Sequence, residues 1–124
     1  MAGRLYVIQD DLFFAERVRM TARRLGIETV PLSASEAASR HWEPNSVVVI
    51  QVTLNPDRQI DLIERLTRLT PPPRVVAVSG HLETGLRSRA KALGAQLAAH
   101  SSMDRVLARA LRTNAGDDDS TARH

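Results

Sequence analysis

The sequence predicts an α/β fold, in which a parallel sheet of five strands is packed between layers of helices. Three observations predict it. Short apolar runs alternate with longer amphipathic stretches along the whole chain, the pattern of repeated strand–helix units. The apolar runs, such as Val47-Val48-Val49-Ile50, are β-branched and uninterrupted, which suits strands covered on both faces. Gly and Pro stand where helices have to stop, at Gly26, Pro71 to Pro73 and Gly94.

The elements follow in order. Arg4 to Gln9 forms a first strand, and the stretch from Asp11 to Gly26 a helix with Leu12, Ala15, Val18, Ala22 and Leu25 at helical spacing. Ile27 to Leu32 is a second strand whose Pro31 favours an edge position. Ser33 or Ser35 can cap a short helix over residues 35–42, and Trp42 in the link beyond it reads as a packing anchor. The third strand is Val47 to Ile50, closed by Gln51. Asp57 or Pro56 then opens a helix with Ile60, Ile63, Leu66 and Leu69 on one face. The prolines of Thr70 to Arg74 break that helix. Val75 to Ser79 is the fourth strand, and residues 82–94 a helix with Leu86, Ala90 and Leu93 turned inward. Ala95 to His100 is the fifth strand, and Ser102 opens the last helix, over 102–112. Residues 1–113 are expected to form one domain, with 114–124 a flexible tail lacking an apolar face.

Composition narrows the function classes. A chain of 124 residues with 43% hydrophobic residues builds one core, and the absence of Cys excludes disulfides, a thiol nucleophile and thiolate metal sites. No apolar run is long enough to span a bilayer, and the first residues lack the apolar segment of a signal peptide. A cytoplasmic protein without a membrane partner is expected. The net charge is only +3, and its arginines are scattered among Asp and Glu, which argues against nucleic acid as the partner. Neither GxGxxG nor GxxxxGK[ST] follows a strand, which argues against a dinucleotide or ATP enzyme.

Parallel strands joined by right-handed crossovers give the flavodoxin-like (βα)5 three-layer sandwich, whose usual strand order is 2-1-3-4-5. Ligands of such sheets gather at the carboxyl ends of the strands. The candidates there are Gln9, Asp10 and Asp11, then Gln51, Thr53 and Asn55, then Ser79 and His81, and finally His100 and Ser101.

Together "LYVIQDD", "PNSVVVIQVTLNP", "RVVAVSGH" and "ALGAQLAAHSS" resemble a bacterial two-component response-regulator receiver domain over about residues 4 to 112. The resemblance implies an acidic Mg²⁺-binding pair at Gln9 and Asp10, or at Asp10 and Asp11, and a phosphoacceptor aspartate at Gln51. It also implies a hydroxyl at Ser79 and a Lys-Pro pair at Ser101 and Ser102. Of these, this chain keeps Ser79 and an acidic residue at Asp10, and lacks the acceptor and the Lys-Pro pair. An amide at Gln51 cannot form an acyl phosphate. Mg²⁺ loses a carboxylate ligand there, and no lysine balances a phosphoryl group. The resemblance therefore implies a non-enzymatic pseudo-receiver that signals by protein–protein contact independently of phosphorylation. Its partner-binding surface would be the face of the fourth helix, fifth strand and fifth helix, carrying Arg87, Lys91, Arg105, Arg109 and Arg112, and suited to an acidic protein or a second copy of the chain.

Other readings stand beside this one. Asp10 and Asp11 could retain Mg²⁺, although residues at a strand-to-helix junction more often cap the helix. Asp10, Asp11 and Ser79 could still handle a metal, phosphate or nucleotide. His81 and His100 lie near the presumed pocket without a third metal ligand at suitable spacing. Phe13 and Phe14 are adjacent on a helix, so one of them is expected to be exposed.

Overall fold

The computed structural model describes residues 4–115, and the side chains of residues 4–111. The strands β1 (Leu5–Ile8), β2 (Thr29–Leu32), β3 (Val47–Gln51), β4 (Arg74–Ser79) and β5 (Gln96–Ala99) form one parallel sheet in the order β2-β1-β3-β4-β5. The helices α1 (Leu12–Arg24), α2 (Ala34–Ser39), α3 (Pro56–Thr67), α4 (Thr84–Ala92) and α5 (Met103–Ala115) connect and follow them. This is the fold class the alternation predicts.

Strand alternation sends successive side chains to two separate cores. Tyr6, Ile8, Val48, Ile50, Val75 and Ala77 pack with Ala37 of α2, Ile60, Ile63 and Leu66 of α3, and Ala90 of α4. Leu5, Val7, Val47, Val49, Val76 and Val78 pack with Phe14 and Val18 of α1 and with Met103 and Leu107 of α5. Both faces of the three central strands are dry, which is why their sequences read as unbroken apolar runs. Pro31 lies in β2 at the sheet edge, where a missing N–H costs no ladder bond.

Local chemistry sets the helix ends. Asp11 caps α1, its carboxylate accepting from the Phe13 amide at 2.9 Å. Gly26 takes a left-handed conformation (φ 75°) after α1, and Ile27 N–H still bonds back to Ala22 O at 2.9 Å. Ile27 thus belongs to the helix end, so β2 begins two residues later than the sequence suggests. Ser33 and Glu36 form a reciprocal capping box at α2. That helix ends at Ser39 because Arg40 turns extended (ψ 159°), which brings Trp42 into the core. There the Trp42 indole donates to Ala37 O at 3.1 Å and meets Tyr6 edge-on at 4.9 Å, the anchor expected of it.

Two expectations need correcting. The inner face of α1 is set by Phe14, Val18, Thr21 and Ala22, whereas Leu12 is 75% exposed and Leu25 is also exposed. Leu12 is the first residue after the cap, and the four-residue spacing of Phe14, Val18 and Ala22 fixes the buried stripe. Phe13, 88% exposed, is the outward member of the Phe pair. At the other end, α5 runs through Ala115 instead of stopping before Asn114. It is preceded by a 3-10 turn over His100–Ser102, in which Ser102 Oγ accepts from Ala99 N–H at 3.1 Å, so Ser102 closes the turn after β5. The rest of the expected tail, 116–124, lies outside the described residues.

Candidate functional site at the carboxyl edge of the sheet

Strand register decides which side chains meet at the carboxyl edge. Val7 of β1 pairs with Val49 of β3, so continuing that register sets Gln9 beside Gln51 and Asp10 beside Val52. Gln51 pairs with Val78 and Ser79 with Ala99, which sets Val52 beside Ser79. By alternation Gln9 and Gln51 follow Val7 and Val49 onto the α1 and α5 face. Asp10 and Ser79 lie on the opposite face, where Asp10 accepts from the Gln59 amide of α3 and Ser79 Oγ meets Arg87 of α4 at 3.4 Å.

Along the strands Gln51 and Ser79 alternate onto different faces, and both stand at the carboxyl edge with Gln9 and Asp10. Val52, the residue after β3, is 1% exposed and packs in the core beneath the edge. Gln51 is half-buried and makes no side-chain hydrogen bond among the described residues. Gln9 lines a cleft of about 290 Å³ between α1 and the edge strand β2, together with Leu12, Glu16, Arg19 and Thr29. Ser101 is exposed in the 3-10 turn.

The polar groups of this edge are engaged with one another. Asp11 is committed to the α1 cap. Gln59, 1% exposed, gives its amide N–H to Asp10 and leaves its Oε1 without a partner. Glu83, in the loop before α4, accepts from Thr53 Oγ1 at 2.8 Å and from Gly80 N–H at 2.7 Å through the same oxygen. His100 packs edge-on against Phe14 at 6.3 Å, and its carbonyl accepts from Arg17. Asp57 is exposed and reaches Arg89 at 3.5 Å. Leu12, Phe13, Leu54 and Leu82, on the segments leaving β1, β3 and β4, expose large apolar side chains at this edge.

This donor set does not fit Mg²⁺, which takes several oxygen ligands with carboxylates among them. Asp11 is taken by the α1 cap and Glu83 by Thr53 and Gly80, and no three His, Asp or Glu side chains converge on a metal position among the described residues. The sequence reading missed Gln59 and Glu83. Gln59 carried a signal, a polar residue beside Ile60 on the inner side of an amphipathic helix. Glu83 carried a fainter one, a helix-capping position held by a residue that caps poorly.

On the α4, β5 and α5 side, Lys91, Arg105 and Arg109 are exposed and make no ion pair among the described residues. Arg87 differs from them: it is half-buried and turned toward Ser79. The Arg112 side chain lies outside the described residues. Among the described residues no helix is long and apolar enough to cross a membrane.

Strand order and edge geometry define the class as a five-stranded receiver-type α/β fold, and comparison with solved structures bears this out. The chain is similar to a response regulator receiver protein from Burkholderia phymatum, at 22% identity and TM-score 0.70, covering 92% of this chain and 95% of that one. It is also similar to a Burkholderia pseudomallei response regulator with a phosphorylated aspartic acid, at 21% identity and TM-score 0.68, covering 97% and 72%. All of this chain superposes on 30% of NtrX from Brucella abortus, at 21% identity and TM-score 0.75. No family model matches the sequence, and no curated protein matches it. At these identities the likeness establishes the fold.

Proposed function

We propose that this chain is a receiver-like signalling module of a two-component system that acts by protein–protein contact without phosphorylation. The observation that carries the reading is Gln51, an amide at the end of β3 where the resemblance implies the phosphoacceptor carboxylate. The Burkholderia pseudomallei neighbour carries a phosphorylated aspartic acid. Here Gln51 and Val52, the last of β3 and the residue after it, are both without a carboxylate, so the fold persists without that acceptor. Catalysis and a bound cation have no part in this reading.

Lys91, Arg105 and Arg109 form the contact surface in this proposal, because they are exposed cations that make no ion pair among the described residues. An acidic partner surface, on another protein or on a second copy, would complement them, and salt would weaken the encounter. Beryllium fluoride with Mg²⁺, followed by amide shifts, tests the phosphorylation half of the reading. No saturable shift is expected at Val52 or Ser79, and a saturable shift there overturns it. For the contact half, Arg105→Ala with Arg109→Ala should remove the salt sensitivity of self-association or partner binding, and unaltered binding overturns this surface.

A further inference from the structure

We infer that Thr53 and Gly80 form an oxyanion site at the carboxyl edge, flanked by Arg87, and that the chain's own Glu83 carboxylate fills it. One oxygen, Glu83 Oε1, receives two donors from two different loops, the Thr53 hydroxyl at 2.8 Å and the Gly80 amide at 2.7 Å. Such short contacts to a carboxylate are charge-assisted. Gly80 permits the approach, since a Cβ there would lie 3.0 Å from that same oxygen. Glu83 stands at the N-cap of α4, yet its side chain makes no capping bond to its own helix and folds back over the sheet edge instead.

Arg87, one turn further along α4, lies beside the site without pairing with Glu83. Its guanidinium reaches Ser79 Oγ at 3.4 Å and makes no ion pair among the described residues. A hydroxyl and a backbone amide, with a guanidinium one residue away at Ser79, make a donor set for a small oxyanion, either a carboxylate or inorganic phosphate. Because Glu83 is tethered three residues from Gly80, its effective concentration exceeds that of a free anion in solution. The tie between the loops after β3 and β4 is thus made by the chain's own carboxylate, where a transferred phosphoryl group would make it conditional. This inference deepens the phosphorylation-independent reading and rests on it for that consequence.

The test is a titration of inorganic phosphate, without Mg²⁺ or any phosphoryl donor, into the unaltered protein and Glu83→Ala, followed by NMR at Gly80 and Thr53. The unaltered protein should give no saturable shift. Glu83→Ala should give saturable shifts at both residues in the millimolar range, weakened about tenfold when Arg87→Ala removes one charged contact. Equal shifts in both proteins, or a folded Glu83→Ala that shows none, overturn the inference. Should Glu83→Ala fail to fold, Glu83→Gln keeps the side chain's size. Its neutral acceptor should move the Gly80 amide proton upfield, and an unmoved Gly80 resonance overturns the occupancy. Phosphoryl transfer to the unaltered protein would sink the phosphorylation-independent reading and leave this titration standing as a separate measurement.

Discussion

The interior of the sheet and its carboxyl edge are built from the same strands but by different means. In the interior, alternation sends every side chain of β3 from Val47 to Ile50 into one of two dry cores, and stability comes from apolar burial. One or two residues further on, at the ends of β1, β3 and β4, the cores give way to hydrogen bonds between short polar side chains. Asp10 takes the Gln59 amide, Glu83 bridges Thr53 and Gly80, and Ser79 faces Arg87. A scaffold of this kind can keep its fold while the groups at its rim turn from serving a ligand to serving one another.

The comparison can be broken most forcefully from the interior. Trp42→Ala removes a fully buried ring that packs on Tyr6 and lies 4.8 Å from the Arg40 guanidinium. A loss of about 3–5 kcal/mol in denaturant unfolding is expected, the range for a large aromatic deleted from a core. At the rim, Gln59→Leu should change stability by less than about 1 kcal/mol. It replaces a buried amide whose oxygen has no partner, and Asp10 stays exposed to water when its donor is gone. A loss as large as that of Trp42→Ala would mean that the rim carries stability as the interior does.

Effects of similarly small size belong to the helix ends. Ser33→Ala deletes the α2 cap, whose hydroxyl accepts from Glu36 N–H at 3.1 Å, and should cost about 1 kcal/mol in the same measurement. Within that capping box the Ser33 backbone N–H, and then its hydroxyl, hold the Glu36 carboxyl below the usual carboxylate range. A folded-state value lowered in this way stabilises the box above the ordinary carboxyl pKa, and the contribution is lost as pH falls through the lowered value. Helical carbon shifts over Ala34–Ser39 should therefore move toward coil on acidification, and should not do so in Glu36→Gln.

How much of this was legible in the sequence follows the same division. Val47 to Ile50 and Val75 to Val78 announced themselves, because a strand buried on both faces has a composition that survives any detail of packing. The edge placement of β2 was legible through Pro31, a residue whose missing donor limits where it can sit. The rim was legible only as a set of candidate positions. The Thr53–Glu83 contact joins residues 30 apart in sequence and the Asp10–Gln59 contact residues 49 apart, and neither leaves a periodic trace.

The account turns on the absence of an acceptor carboxylate at Gln51, the end of β3. Intact-mass measurement after incubation with acetyl phosphate and Mg²⁺ tests it most directly. The unaltered protein is expected to keep its mass, alone and after prolonged exposure. A phosphoryl adduct that maps to an acidic side chain at the carboxyl edge, Asp10 or Asp57 above all, would contradict it.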